Sequence, residues 1–404
     1  MTNSTWEVYG SESQDVGILE VTIDENCIPT DGITRIVSVD NIYMTLPDNP
    51  DEDRHVQFYS EHTEGGDRRE IINYKNNVHE NIESSIYAMF DVYLQPNVEV
   101  NLKNNTFINI SGLYGGFYIY NTGNIDMSDT FFINTTNFGF GLASFEEING
   151  NGVINRFTTS NVVSIGTPDE YFFYCYFYEE YSLSINSLNM IDTEANDQAV
   201  VYIEEAIDVF SLTNSTFQNV KVGSDVSMYT LTSANVILID NCSFTQIVSS
   251  TPVDSNNYII QIMNLNIDSL QDSIISNILV SNSTIGVLKF EGVANIASEP
   301  RMLQINDVSI TSSLYDIPVD IINIEGVQTE EVDFGVQISR ISFQDLEFIL
   351  GGNLIHMVSQ MRNGLVVSDS SASNIIQGSL YVEAFNKQDL TTSAKLSKIF
   401  TITF

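Results

Sequence analysis

Four segments decide the fold: residues 211–220 (SLTNSTFQNV), 238–247 (LIDNCSFTQI), 279–288 (LVSNSTIGVL) and 303–312 (LQINDVSITS). Each reads apolar, polar, turn residue, x, Ser/Thr or neighbour, apolar. An anchor set three residues before the large apolar residue extends this frame in both directions. Anchors then fall at Asn104, Asp129, Arg156, Ile185, Asn214, Asn241, Asn282, Asp307, Arg340 and Asp369, spaced 25 to 41 residues apart. Two positions before the anchor every residue is apolar, from Leu102 to Val367. One position before it every residue is polar or charged. Two positions after it stands Ser or Thr, with Phe131 the exception.

Period-two alternation on both sides of a short break is strand, bend, strand. The segments are rich in Val, Ile, Phe, Thr and Asn, and they do not sustain the three-and-four apolar spacing of a helix. One unit of this size cannot bury its own apolar face, whereas stacked units bury it continuously. The spacing therefore predicts an all-β fold. It is a right-handed, single-stranded parallel β-helix (a solenoid) of about ten or more coils, each rising about 4.8 Å. Asn and Asp suit the bend because their short polar side chains tolerate the left-handed conformation. Stacking would put them in a ladder, interrupted at Arg156, Ile185 and Arg340. A further anchor near Lys75 is weak. A second polar column lies five residues after the first and includes Asn109, Asn134, Asn161, Asn219 and Asn374.

Outside the frame, residues 1–70 read as an N-terminal cap with an acidic loop, 71–375 as the repeats, and 376–404 as a last coil or a pairing segment. Solenoid ends need capping because their strand edges are open. The longest gaps suggest insertions at 249–258 (SSTPVDSNNY) and 313–331, of the kind that protrude and often carry function.

The 404 residues carry 53 acids against 15 Lys and Arg, a net charge of −38. That excludes nucleic acid, which needs clustered Lys and Arg, and an anionic membrane surface. Cations, neutral glycans and basic partners stay open. The plain reading of the charge is that it keeps a β-rich chain soluble. No apolar run is long enough to span a bilayer. The opening MTNSTWEVYG has no basic-then-apolar leader. Three cysteines, Cys27, Cys175 and Cys242, are too few for a disulfide-built fold and leave at least one unpaired.

Chemistry is scarce. The acidic pairs Glu146/Glu147, Glu179/Glu180, Glu204/Glu205 and Glu330/Glu331 would point to opposite faces of a strand. His55, His62, His79 and His356 are too scattered for a metal site and read as solvated loop residues. No cofactor is expected. Calcium would suit the charge, but no ligand spacing names a site. The aromatic run YFFYCYFYEEY (Tyr171, Phe172, Phe173, Tyr174, Tyr176, Phe177, Tyr178, Tyr181) has two readings. It is either a contact surface for glycans or another subunit, or strand and turn with alternate rings inside. Sequons stand at Asn3, Asn104, Asn109, Asn134, Asn214, Asn241 and Asn282, about the number that composition alone would produce.

The architecture is similar to that of pectin-degrading β-helix families. Their polygalacturonase motifs (Asn-Thr-Asp, Asp-Asp, Gly-His-Gly and Arg-Ile-Lys) are absent, and no lyase arginine or lysine constellation is found. The repeated N-S-T-F, N-C-S-F and N-S-T-I segments resemble the β-helix ectodomains of protist surface proteins, ciliate ones especially, over about residues 100–375. The resemblance implies secretion to an extracellular or cell-surface location, and no activity. The expected function is a non-catalytic structural or adhesive module that self-associates, as in a filament, or binds another surface protein or a glycan. Two alternatives stay open: a polysaccharide-binding or polysaccharide-degrading enzyme, and a tail-fibre-like virion protein.

Overall fold

The computed structural model describes residues 19–23, 35–41, 43–45, 56–60, 70–83, 88–94, 98–112, 116–137, 141–165, 171–177, 181–195, 199–223, 226–249, 257–265, 271–293, 301–316, 318–326, 334–359, 365–384 and 401–403. Among them there is no helix. Strands pair in parallel, each with its counterpart one coil further on, so the chain winds as a parallel β-helix. Each coil has three faces. The first is the strand before the anchor bend. The second is the short stretch between that bend and the next. The third runs back across the solenoid.

The bends are set by residues with positive φ, spaced five apart. The pairs are Asn76/Asn81, Asn104/Asn109, Asp129/Asn134, Arg156/Asn161, Ser187/Asp192, Asn214/Asn219, Asn241/Gln246, Asn277/Asn282, Asp307/Ser312, Arg340/Asp345 and Asp369/Asn374. This corrects the sequence frame at three places. Ile185 is no bend: it is buried and pairs with Ile154, and Ser187 turns the chain (φ 60°). Asn282 belongs to the second column, because Thr245 pairs with Ser281, and Asn277 holds the anchor place in that coil. The weak anchor near Lys75 is Asn76.

Side-chain amides link the bends from coil to coil. Asn104 Nδ2 donates to Asn76 Oδ1 (2.8 Å), Asn214 to Asn186 (2.8 Å) and Asn241 to Asn214 (2.7 Å). In the second column Asn109, Asn134 and Asn161 form a run of donors at 2.7, 3.1 and 2.9 Å. The arginines do not interrupt the first ladder. Arg156 donates two bonds to Asp129 (2.5 and 2.6 Å) and Arg340 two to Asp307 (2.7 and 2.7 Å). A planar guanidinium meets a carboxylate in the same two-point geometry. Just inside each bend sits an apolar or small polar residue. Ser215 Oγ donates to Thr213 O (2.9 Å) and Cys242 Sγ to Asp240 O (3.4 Å), a carbonyl that also accepts from the Asn214 amide of the neighbouring coil (3.1 Å).

The interior is a stack of like residues. Phe107 lies on Phe132 with centroids 4.5 Å apart, and Phe217 on Phe244 at 4.8 Å, the spacing of neighbouring strands. Stacking the coils in register therefore packs ring on ring along the axis.

The coils begin earlier than residue 71. Strand Arg35–Asp40 pairs with Glu70–Lys75, and Leu19–Ile23 with Val56–Ser60, so described parts of 1–70 belong to the parallel ladder. At the other end Ser371–Ala384 crosses the expected boundary at 376 and pairs with Thr401–Thr403. Within the expected insertion at 313–331, Val319–Gly326 is a strand of the third face, paired with Gly286–Val293 and with Ser342–Ser359. Within 249–258, Tyr258 opens another such strand.

Candidate binding face

The third face carries the chemistry. In its strands Phe117 and Ile119, Phe173 and Cys175, and Val201 and Ile203 face inside. The residues between them point away from the core. Register places Asp91, Tyr118, Ser144, Tyr174, Tyr202, Thr230, Gln261, Lys289, Asn323 and His356 in one outward row. A second row holds Tyr93 and Tyr120 opposite Glu146, and Tyr176 opposite Glu204.

Toward the N-terminal half these rows form an aromatic and carboxylate belt. Tyr171 stacks on Tyr202 (3.9 Å, 6°) and lies 5.4 Å from Tyr174. Tyr118 is 5.7 Å from Tyr93. The Tyr118 hydroxyl donates to Glu146 (3.2 Å), as does Ser144 Oγ (3.2 Å), and the Tyr174 hydroxyl donates to Glu204. Burial, and then the neighbouring charges of Glu147 and Glu204, push the Glu146 carboxyl up. Burial first, and the Glu204 carboxylate second, raise the Tyr174 hydroxyl.

The pair Glu146/Glu147 was expected to split between two faces. Glu147 instead sits in a left-handed bend (φ 53°), as does Glu205 (φ 68°). A bend breaks the alternation, so Glu146 and Glu147 are both half-exposed. Residues 179–180 and 330–331 lie outside the described residues.

Further along, the same face opens into a cleft of about 540 Å³ lined by Tyr258, Lys289, Pro318, Val319, Asp320, Asn323, Glu325, Leu350, Gly351, Gly352, Asn353 and His356. His356 Nδ1 meets Asp320 Oδ2 at 2.7 Å, and Asn353 Nδ2 donates to Asp320 Oδ1 (2.6 Å). Asn323 Nδ2 donates to Glu325 (2.9 Å). Lys289 pairs with Glu291 and stands 5.7 Å from the centre of the Tyr258 ring. The walls need glycine: a Cβ at Gly352 would meet the Val319 carbonyl at 2.3 Å, and Gly351 has φ +86°.

The aromatic run divides between the core and the outer face, alternating from Phe173 to Phe177. Phe172, Phe173, Cys175 and Phe177 are buried, while Tyr171, Tyr174, Tyr176 and Tyr181 are partly exposed. Tyr178 lies outside the described residues, as do Asn3, Cys27, His55 and His62. The sequence reading missed the partners of the run: Tyr93, Tyr118, Tyr120, Tyr202, Glu146 and Glu204. A signal was present in the strand pattern FYIY, FYCYF and VYIE, but loops of unequal length between bend and strand hide it from a fixed frame.

The two remaining described histidines are not solvated loop residues. His356 lines the cleft. His79 is fully buried, shares a hydrogen bond of 2.5 Å between its Nε2 and the Tyr74 hydroxyl, and stacks on Phe107. Cys175 and Cys242 are buried free thiols, both pushed up by burial, Cys242 to about 12. The described sequon asparagines sit at the two bend columns, Asn104, Asn214 and Asn241 in the first and Asn109, Asn134 and Asn282 in the second, and all six side chains are exposed. Asn214 and Asn241, like Asn109 and Asn134, are neighbours in adjacent coils. A sugar on one would crowd the other at a spacing of about 4.8 Å.

No protein-family model and no curated protein matches this chain. Among solved structures it is similar to PfbA, a surface adhesin of Streptococcus pneumoniae, at 11% identity and a TM-score of 0.30, over 78% of this chain and 85% of that one. A likeness at that score carries no weight for function.

Proposed function

We propose that this protein is a non-catalytic, extracellular or cell-surface adhesive β-helix that holds a surface partner against its third face. The observation that carries the reading is the outward Tyr and Glu belt, in which Tyr171, Tyr174 and Tyr202 stack and Glu146 and Glu204 accept from tyrosine hydroxyls. Rings fixed by stacking and hydrogen bonds lose little freedom on binding, which favours contact surfaces made of them. Rings with carboxylates beside them suit a sugar chain or a basic protein surface. A net charge of −38 repels acidic partners.

The test is retention of the immobilised chain by glycan-coated and protein-coated beads, with sedimentation velocity to score self-association. Tyr118→Ser, Tyr174→Ser and Tyr202→Ser are combined in the comparison variant. At least one partner, or a second copy, should be held, and the triple variant should hold it at least tenfold more weakly. Unchanged retention in the triple variant refutes the reading.

A second reading, a polysaccharide-degrading enzyme, is favoured by the Glu146 carboxyl, which burial raises and which stands beside Glu147 and Glu204, since a raised carboxyl can serve as a general acid. Release of shorter oligosaccharides from a bound polysaccharide, detected by mass spectrometry, would replace the adhesive reading with this one.

A further inference from the structure

The cleft lies on the same face as the aromatic belt, but it is built differently and stands apart from it in the coil order. We infer that it is a binding site for a single neutral or amino-sugar unit. The inference does not depend on the belt being adhesive.

Its volume falls in the range of small-molecule sites, roughly 300–1,000 Å³. Its floor is polar and buried, with Lys289 7% exposed and Asn323 5% exposed. These residues point away from the core, and the cleft walls cover them. Here the walls are Pro318 with the start of strand Val319–Gly326, and residues 350–352, an irregular stretch within strand Ser342–Ser359.

The floor is also incompletely satisfied. Asn323 Oδ1 is buried with no hydrogen-bond partner. An orphan acceptor of this kind costs about 1–3 kcal/mol. A hydroxyl or amine entering the cleft can satisfy it, directly or through one held water.

Charge selects among ligands. Lys289 is already paired with Glu291, and His356 with Asp320. Asp320 and Glu325 outnumber the one lysine of the lining. A phosphate or a uronate would bring its negative charge against the two carboxylates, Asp320 and Glu325. A neutral hexose brings hydroxyls that both donate and accept, and an amino sugar adds a cation opposite the carboxylates. The apolar wall of Pro318, Val319 and Leu350 suits the C–H side of a sugar ring.

The experiment uses the full chain and free sugars, so it reads the cleft separately from any adhesion. Saturation-transfer NMR and calorimetry are run with glucose, galactose, N-acetylglucosamine, glucosamine, galacturonate and inorganic phosphate. At least one neutral or amino sugar should bind in the millimolar range, with galacturonate and phosphate at least tenfold weaker. Asn323→Leu should lower the affinity at least tenfold. His356→Ala changes an outward, partly exposed residue and serves if the first variant does not fold; it should lower affinity severalfold. The triple tyrosine variant should bind the free sugar as the unmodified chain does. No saturable sugar binding, equal binding of galacturonate or phosphate, or undiminished binding in the folded cleft variants overturns the inference.

Discussion

Replacing Asn214 tests the physical basis of the ladder. Asn214 has φ 52° and sits in the middle of two bonds, donating to Asn186 at 2.8 Å and accepting from Asn241 at 2.7 Å. Alanine loses both bonds and is forced into the left-handed region. The region costs an L-residue about 1–2 kcal/mol. Two solvent-exposed bonds add about 0.5 kcal/mol each, at the low end of the usual range. The Asn214→Ala loss is therefore about 2–3 kcal/mol. Asn214→Gly loses the same bonds without the steric cost and adds only chain entropy of about 0.5–1 kcal/mol, for a total of about 1.5–2 kcal/mol. The expected order of stability is Asn, then Gly, then Ala. Material from a host without N-glycosylation avoids confusion with the loss of a sequon.

A solenoid's stability is a sum of coil and interface terms, so the loss should be local. Native-state hydrogen exchange is the suitable assay. Amides of the flanking coils, residues 181–195 and 229–249, should open roughly 30- to 150-fold more often in the alanine variant. Distant coils such as 98–112 should be unaffected. If alanine is as stable as glycine, the left-handed bend carries no cost and the explanation for Asn and Asp in this column is wrong. If both variants match the native chain, the ladder contributes nothing.

Two other outcomes follow from buried titratable groups. Asp91 is buried on the third face, its Oδ1 has no hydrogen-bond partner, and burial pushes its carboxyl up to about 6. The native state thus keeps a proton that the unfolded chain releases near pH 4, so stability falls as pH rises from about 4 to about 6, by about 3 kcal/mol in all. Asp91→Asn should remove that share of the pH dependence in denaturant titrations, matching the native chain at pH 3.5 and exceeding it at pH 7; equal curves would sink the assignment. His79 is held neutral, its pKa pushed down to about 3 by burial, so stability is lost as pH falls below about 6.5 toward that value. Exchanging both partners, Tyr74→Phe with His79→Phe, removes an unpartnered Nδ1 and extends the Phe107 and Phe132 stack. The double variant should equal or exceed native stability at pH 7 and lose this acid sensitivity, whereas His79→Phe alone strands the Tyr74 hydroxyl and should be less stable than the pair; the reverse order would refute the buried-pair account.

The sequence by itself determined that this chain is a stack of parallel coils with Asn and Asp at the bends. Those features are local: alternation fixes which residues face inward, and the left-handed bend selects its residue types. Register was not fully legible, for two reasons of the same kind. A slip of two residues keeps every side chain on its proper face, so Ile185 satisfied the pattern as well as Ser187 did. The two bends have the same flanking pattern five residues apart, so Asn282 passed for a first-column residue until the pairing of Thr245 with Ser281 placed it in the second. Only the tertiary structure decided the candidate sites. Lys289, Asn323 and His356 are outward residues of three separate coils, and no sequence pattern joins them because the chain between coils varies in length. They form a floor because parallel pairing sets Lys289 beside Asn323 and Asn323 beside His356. The same holds for Tyr118, Tyr174 and Tyr202: strand pairing across coils, which no local pattern encodes, turns single tyrosines into a surface.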